Sequence, residues 1–198
     1  EGFYDDRLIE MAREHNVKTA VIANFELMGW NRNEAPMPDL FIAPSDWKLS
    51  EWPANSIHIP FPVARDRLPF TLRTEAKRFL HIVAPAMVDR SGTTMVMKAL
   101  RHIRSAVDVT IHCQSRRVGF QHHHRLKPGV RVNIRTEDFE HYPEIYADHD
   151  VLLAPRRYGG LSLPLNEASS LGMPTITLDR DPESHIVSDE LRIRSFRS

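Results

Sequence analysis

Cysteine is almost missing from this sequence, since Cys113 is the only one among 198 residues. A single cysteine excludes an internal disulfide framework and a metal site built from several thiolates. A reducing cytoplasm fits this composition, so we expect a cytoplasmic protein. Because Cys113 stands at the end of a predicted strand, we interpret it as a small apolar side chain.

Excess charge and long apolar runs are missing as well. Lys plus Arg and Asp plus Glu number 26 each, so the formal net charge is zero and gives no reason to expect nucleic acid as the main partner. No apolar run is long enough to span a bilayer, and the first six residues do not resemble a signal peptide. The chain opens without Met directly in a helix-like segment, so we interpret it as part of a longer protein.

What the sequence does contain is an alternation of apolar, β-branched runs with amphipathic segments. In the first part a helix precedes three short strands, and a second short helix separates the last two strands. This order predicts a partial α/β lobe over residues 1–62. The predicted helices are Tyr4–Glu14 and Ser45–Trp52, and the predicted strands are Lys18–Ala23, Asp39–Ala43 and Ser56–Ile59.

A charged stretch with several prolines, residues 63–78, is predicted to be a hinge between lobes. A second lobe, residues 79–198, follows with strands and helices in alternation. Its order predicts a Rossmann-like, doubly wound parallel sheet whose functional loops lie at the carboxyl ends of the strands. The predicted strands are Phe79–Val83, Val107–Ile111, Val130–Ile134, Asp150–Ala154 and Pro174–Leu178, and the predicted helices span 92–104, Tyr142–Ala147 and Asn166–Leu171.

The most informative segment joins the end of a predicted strand to the first turn of a helix. It reads Pro-Arg-Arg-Tyr-Gly-Gly-Leu-Ser-Leu-Pro-Leu-Asn-Glu over residues 155–167. Gly159 and Gly160 let the backbone approach a ligand closely, because glycine has no Cβ. The loop amides and the positive end of the helix dipole favour a phosphate or a sugar hydroxyl. The carboxylate of Glu167 could accept two charge-assisted hydrogen bonds from a ribose.

This segment resembles the donor-site signature of glycosyltransferase family 4 (group 1) and its GT-B relatives. In that family a loop of the type Pro-Ser-Arg-x-Glu-Gly-Phe-Gly-Leu-Pro precedes a glutamate. The positions that match are Pro155, Arg157, Gly160, Leu163, Pro164, Glu167, Ala168 and the stretch Gly172–Ile176. The resemblance implies a GT-B-like fold, with a Rossmann-like lobe beside a partial second α/β lobe. It also implies a nucleotide diphosphate sugar, linked to UDP, GDP or ADP, as the donor.

The sequence departs from the family pattern at two positions. Gly159 stands where the first of two acids is expected, and Ser162 replaces the second loop glycine. In the family the second acid holds the nucleotide ribose and the first contacts the transferred sugar. The resemblance therefore implies a ribose-binding role for Glu167. The remaining predicted donor-site residues of this loop are Arg157, Gly160, Leu161, Ser162 and Leu163.

A second segment agrees with the resemblance. Members of the family follow the first strand of this lobe with a basic loop that grips the diphosphate, and then a helix. Here Arg90 supplies the charge, and the amides around Gly92 and Thr93 open the helix toward a phosphate. Taken alone, Asp89-Arg90-Ser91 is better explained as a capped helix start on the surface.

Three adjacent histidines, His122–His124, could bind a metal ion. Adjacent side chains in an irregular segment do not converge on one ion, so a basic loop is the preferred interpretation. The sequence has no Asp-x-Asp motif, and the resemblance implies that no metal is needed. His58, His81 and His112 lie on predicted strands and are interpreted as core or cleft-edge residues, and Trp30, Trp47 and Trp52 as packing residues.

The leading hypothesis is a glycosyltransferase that moves a sugar from a nucleotide diphosphate sugar to an unknown acceptor, with retention at the anomeric carbon implied by the resemblance. We assign no catalytic residue, although Asn24, Phe25 and Glu26 are expected to line the cleft between lobes. One alternative is a truncated or degenerate module that binds a nucleotide sugar without turnover, which Gly159 favours. Another is a GT-B epimerase acting on a nucleotide sugar. Pairing of two chains as a homo-oligomer also stays open.

Overall fold

The computed structural model describes residues 7–23, 36–64, 66–84, 89–113, 126–157, 162–181 and 186–194. The chain divides into two compact units, Glu1–Pro62 and Val63–Ser198. Each unit contains a parallel β-sheet. Within the described ranges, every helix is too short or too polar to cross a membrane.

The first unit holds a parallel sheet of three strands. Its elements are helix α1 (Arg7–Glu14) and strands β1 (Ala20–Ile22), β2 (Leu40–Ala43) and β3 (Ser56–His58), and the strand order is β1-β2-β3. Phe41 and Trp52 form most of its small core, which confirms Trp52 as a packing residue. The predicted helix from Ser45 to Trp52 is wrong. Only a 3-10 turn, Leu49–Glu51, forms, because Lys48 before it has a left-handed backbone (φ 54°) that no continuous helix contains.

The second unit holds a parallel sheet of six strands. Its elements are strand β4 (Arg78–Val83), helix α2 (Thr93–Leu100), strands β5 (Val107–Cys113) and β6 (Val130–Arg135), helix α3 (Glu144–Ala147), strand β7 (Val151–Ala154), helix α4 (Leu163–Ser170) and strands β8 (Thr175–Asp179) and β9 (Arg192–Arg194). The strand order is β6-β5-β4-β7-β8-β9. This is the order of a doubly wound sheet, in which the chain direction across the sheet reverses between β4 and β7. The predicted Rossmann-like sheet is therefore confirmed.

Apolar residues cover both faces of this sheet. Neighbouring residues of β7 show the alternation, since Leu152 belongs to one core cluster and Leu153 packs against the other. The first cluster includes residues of α3 and α4, and the second includes residues of α2. A strand buried on both faces explains why the sequence of β7 is continuously apolar.

Helix α4 differs from the prediction at its start and agrees with it at its end. It begins at Leu163 instead of Asn166, because Pro164 lies in the first turn, where its missing N–H is not needed. Gly172 has a left-handed backbone (φ 67°), and its N–H donates to the carbonyl of Ser169. The next N–H, of Met173, donates to the carbonyl of Ala168, which completes a Schellman motif.

Two further segments differ from the sequence-based expectation. Strand β9 was not predicted, and it forms because it pairs in parallel with β8 from Thr177 to Asp179. Residues 63–78, predicted to be a hinge, belong to the second unit, where Leu68 is buried in the core. The backbone N–H of Thr71 also donates to the carbonyl of Leu171. The limits of the two lobes, taken as domain boundaries, stay a prediction.

Asp150, immediately before β7, fastens the amino ends of β4 and β7. Its carboxylate accepts hydrogen bonds from the backbone N–H groups of Lys77 (3.0 Å) and Arg78 (2.8 Å) and pairs with the guanidinium of Arg78 (2.7 Å). Burial opposes ionisation of Asp150, but these hydrogen bonds outweigh it and hold the pKa of the carboxyl below its usual range. The carboxylate therefore stays charged and ties the two central strands together.

Gly92 brings the carboxyl ends of the same two strands together. It precedes α2 and has a left-handed backbone with φ 78°. A Cβ at this position would overlap the carbonyl oxygen of Pro155, the first residue after β7. Next to this contact, the backbone N–H of Arg157 donates to the carbonyl oxygen of Arg90 (2.9 Å). The loops after β4 and β7 thus touch through their backbones, which requires glycine at position 92.

The Asp150→Asn variant should be less stable by about 2 kcal/mol near neutral pH, because charge-assisted hydrogen bonds of a buried carboxylate are lost. The pKa of Asp150 is lowered in the folded state. The stability that its carboxylate contributes is therefore present above the unfolded pKa of about 4, and it is lost as the pH falls through the folded pKa. Urea unfolding at pH 7 and near pH 3 should therefore show a gap between wild type and variant that narrows in acid. Asp108→Asn, which breaks an exposed pair with Arg131, is the control and should cost clearly less stability, because exposed ion pairs contribute little. Equal losses for both variants would contradict the role of Asp150.

The Gly92→Ala variant should lose more stability than a glycine substitution at which only the backbone angle is unfavourable. Gly129 is the matched control, since its φ is 89° but an added Cβ would lie 3.4 Å from Ala106, close to ordinary contact. We expect Gly129→Ala to cost about 1–2 kcal/mol through the left-handed backbone alone. Gly92→Ala should exceed this because the loops must also separate. Thermal and urea unfolding would measure both, and matching values would argue against the close contact.

Candidate functional site

The two loops at the reversal of the strand order lie where doubly wound proteins bind their ligands. The first loop follows β4 and leads to α2, and the second follows β7 and leads to α4. Of the predicted donor-site residues, Gly160 and Leu161 lie outside the described residues, as do Gly159 and the segment 24–26. The structure describes the others, which are Arg90, Gly92, Thr93, Arg157, Ser162, Leu163 and Glu167.

His81 in β4 is hydrogen-bonded to the strand and the helix that border these loops. It is completely buried, and its two ring nitrogens face the carbonyl of Leu153 (Nδ1, 2.8 Å) and the hydroxyl of Thr93 (Nε2, 2.9 Å). Because a carbonyl only accepts hydrogen bonds, Nδ1 carries the proton and the hydroxyl of Thr93 donates to Nε2. Burial lowers the pKa of His81 and keeps the ring neutral. His81 is therefore a core residue that joins β4, β7 and α2.

The amino end of α2 is already occupied by a carboxylate of the chain itself. Asp89 accepts hydrogen bonds from the backbone N–H groups of Thr93 (2.7 Å) and Thr94 (3.0 Å). A phosphate bound to the same amides would meet this carboxylate, and like charges at that distance repel. Thr93 is thus hydrogen-bonded to His81 and Asp89. The assignment of Thr93 to the donor site stays a prediction.

Arginines surround the two loops instead. Arg90 is half-buried before α2, and Arg157 is exposed after β7 with its backbone hydrogen-bonded to that of Arg90. Arg180 follows β8, and its guanidinium donates to the carbonyl oxygen of Arg156 (3.4 Å). The sequence analysis did not select Arg180, although its position just after a predicted strand was a usable signal. Several guanidinium groups at one edge of the sheet are suited to an anion such as a diphosphate.

Helix α4 carries the other predicted residues. Ser162 is buried at the N-cap position, and its carbonyl accepts from the N–H groups of Leu165 (3.1 Å) and Asn166 (3.2 Å). Leu163, the first helical residue, is exposed. Glu167 lies in the second turn and is half-buried. The loop after β7 therefore leads directly into the helix that presents the predicted ribose-binding carboxylate.

One oxygen of Glu167 is held by two tyrosines of the α3 region. Oε2 accepts hydrogen bonds from the hydroxyls of Tyr146 (2.6 Å) and Tyr142 (3.0 Å). Burial, together with the charge of Glu167, raises the pKa of Tyr142 to about 12 and that of Tyr146 further still. Both phenols therefore stay protonated donors at neutral pH. Within the described part of the chain, Oε1 of Glu167 has no hydrogen-bond partner, which leaves it as the acceptor that a ligand can use.

Sequence reasoning missed this tyrosine pair. Tyr142 and Tyr146 are four residues apart, as neighbours on one helix face are, and their rings meet edge to face at 6.1 Å. From that spacing, contact between the two tyrosines could have been predicted. No local pattern connects them to Glu167, which lies 21 residues beyond Tyr146 along the chain.

The histidines show no metal site in the described residues. No group of three or more His, Cys, Asp or Glu among the described residues could hold a metal ion, and His122–His124 lie outside those residues. His112 is buried, with its Nε2 2.9 Å from the carbonyl oxygen of Glu137. His58 is exposed on β3, so of its two interpretations, core or cleft edge, the first is wrong. Strand β3 lies at one end of the strand order β1-β2-β3, and neither Ile57 nor His58 belongs to the small core of the first unit.

Comparison with known proteins identifies a family for the second unit. The profile of the family described as "Glycosyl transferases group 1" matches residues 78–192, more than half of the chain. The match runs from β4 to the first residue of β9 and includes both loops. No curated protein matches the sequence.

Solved structures with the same fold are less than 20% identical. A mutant of S. aureus TarM, in complex with fondaparinux, alpha-GlcNAc-glycerol and UDP, has a TM-score of 0.62 at 14% identity, covering 92% of this chain and 42% of its own. The pneumococcal O-GlcNAc transferase GtfA, in complex with UDP and GlcNAc, has a TM-score of 0.62 at 15% identity, covering 96% and 43%. The GtfA/B complex gives 0.61 at 16% identity, covering 96% and 44%.

This chain therefore spans less than half of the length of these relatives. The likeness confirms the predicted GT-B-like fold class. With the family profile matched over more than half of its residues, the chain belongs to the group 1 glycosyltransferases.

Proposed function

We propose that the second unit is the donor-binding part of a glycosyltransferase that transfers a sugar from a nucleotide diphosphate sugar to an acceptor. The observation that carries the proposal is the carboxylate of Glu167. It stands on the helix that follows the loop after β7, with Oε2 fixed by two tyrosines and Oε1 available to a ribose hydroxyl. A fixed carboxylate oxygen accepts a hydroxyl hydrogen bond without first losing conformational freedom.

The diphosphate is proposed to lie against the arginines at the carboxyl edge of the sheet. Arg157 is exposed there, and its backbone hydrogen bond to Arg90 places the two residues side by side. Positive charge at this place stabilises the negative charge that develops on the leaving diphosphate during sugar transfer. Because guanidinium groups can supply this stabilisation, we propose a reaction that needs no bound metal ion.

The nucleotide, the stereochemistry of transfer and the cellular location are proposed on grounds other than the geometry of the site. The structures of S. aureus TarM and pneumococcal GtfA contain UDP, which makes UDP the first nucleotide to test, with GDP and ADP as alternatives. Retention at the anomeric carbon and a cytoplasmic location follow from the family resemblance and the composition. The acceptor is not assigned.

A second candidate is a module that binds a nucleotide sugar without turning it over. Gly159 favours it, because the family has an acid there that contacts the transferred sugar. Incubating the full-length protein with radiolabelled nucleotide sugars separates the candidates. Label transferred to an acceptor supports the transferase, binding without any product supports the module, and an interconverted nucleotide sugar indicates an epimerase.

The Glu167→Ala variant should bind its nucleotide at least about tenfold more weakly, since one charge-assisted ribose hydrogen bond is lost. Calorimetric titration of UDP, GDP and ADP into wild type and variant would measure this and identify the base. Glu144→Ala is the matched control, because Glu144 is an exposed carboxylate at the start of α3, beside the tyrosine pair. An affinity that survives in a folded Glu167→Ala variant would exclude the ribose-binding role.

Chelation should leave nucleotide binding unchanged, because arginines are proposed to carry the diphosphate charge. The measurement is the dissociation constant of UDP, GDP and ADP with excess EDTA and with added Mg²⁺. Arg157→Ala should weaken binding under both conditions, whereas Arg131→Ala, an exposed arginine of β6 paired with Asp108, should not. Binding that requires Mg²⁺ would overturn the metal-independent proposal.

A further inference from the structure

We infer that Tyr142 and Tyr146 are positioning residues that occupy one oxygen of Glu167, Oε2, and restrict the ribose to the other oxygen, Oε1. The inference rests on the proposed function, since it concerns the same site. It goes further by naming two residues that act through Glu167 and by limiting how the carboxylate can meet its ligand.

A carboxylate oxygen has a limited number of acceptor positions. Each carboxylate oxygen offers about two lone-pair directions for hydrogen bonds. At Oε2 of Glu167 both are used, by the hydroxyls of Tyr146 at 2.6 Å and Tyr142 at 3.0 Å. A ribose can therefore approach only Oε1. A pair of neighbouring hydroxyls that donates to two different oxygens of one carboxylate is excluded.

The hydrogen bonds between the tyrosines and Glu167 have one possible direction. A phenol has one proton to donate, and an ionised carboxylate only accepts. Tyr142 and Tyr146 must therefore each commit their single proton to Glu167, and their own oxygens lie 3.4 Å apart, too far for a strong hydrogen bond. Both phenolic protons are thus directed at Oε2 of Glu167.

The tyrosines themselves are held in place by packing. Tyr146 is 1% exposed and belongs to the core cluster that includes Leu80 and Leu152. Tyr142 is 42% exposed, but its ring packs edge to face on Tyr146. Tyr146 therefore supplies the fixed donor, and Tyr142 adds a second donor at the protein surface. Together they set the position of Glu167 relative to the central strands.

The test uses nucleotides that lack one hydroxyl. UDP, GDP and ADP, with the 2′-deoxy and 3′-deoxy forms of each, are titrated calorimetrically into the wild-type chain. At least one of the two deletions should weaken binding about tenfold, because a ribose hydroxyl donates to Oε1 of Glu167. No loss for either deletion would overturn the inference that Oε1 accepts a ribose hydroxyl.

A mutant cycle tests whether the tyrosines act through Glu167. Tyr146→Phe and Tyr142→Phe should each weaken nucleotide binding about threefold or more when Glu167 is present. Neither change should have a further effect in the Glu167→Ala background, because their target is gone. A merely structural role would weaken binding by the same factor in both backgrounds, and that result would overturn the inference. Tyr142→Phe alters an exposed side chain, so the cycle stays available if Tyr146→Phe does not fold.

The outcomes separate this inference from the function on which it rests. If none of the three nucleotides binds the wild-type chain, the proposed function and the inference are both wrong. If a nucleotide binds and Glu167→Ala weakens it, but both tyrosine variants bind like wild type, the proposed function stands and the positioning role is wrong. Glu144→Gln on α3 is the control and should bind like wild type.

Discussion

The carbonyl oxygen of Pro155 lies where a side chain at position 92 would have to be, and this backbone contact fixes the distance between the two loops that form the site. The contact matters because β4 and β7 pair directly over only two positions, Phe79 with Val151 and Leu80 with Leu152. Such a short ladder leaves much of the alignment of these strands to other interactions.

Those interactions occur at three levels along β4 and β7. At the amino ends the carboxylate of Asp150 accepts hydrogen bonds from the backbone N–H groups of Lys77 and Arg78. In the middle the ring of His81 reaches the carbonyl of Leu153 and the hydroxyl of Thr93. At the carboxyl ends Gly92 meets Pro155. A charged group, a neutral polar group and a position without a side chain thus supplement the short ladder between β4 and β7.

The sequence predicted the parts of this arrangement that are local. Apolar runs marked the strands of the central sheet, and Gly172 marked the end of α4 because a left-handed residue there favours glycine. The parts that depend on distant partners were not predictable. Strand β9 exists through its pairing with β8, and Tyr146 reaches Glu167 across 21 residues. The capping of α2 by Asp89 was visible in the sequence, but its competition with a phosphate became clear only from the geometry.

In the proposed donor site, the capping carboxylate of Asp89 would disfavour the diphosphate of a nucleotide, whereas the tyrosine pair would favour its ribose. Asp89 places negative charge on the amides of Thr93 and Thr94, so the helix end is less attractive to a diphosphate and the arginines have to provide more of the binding. The tyrosines hold Oε2 of Glu167, which leaves Oε1 for the proposed ribose contact. Since Gly159 removes the family's other acid, Glu167 is the one carboxylate of the donor-site pattern. If Oε1 of Glu167 serves the ribose, as proposed, recognition of the transferred sugar has to come from residues outside that pattern.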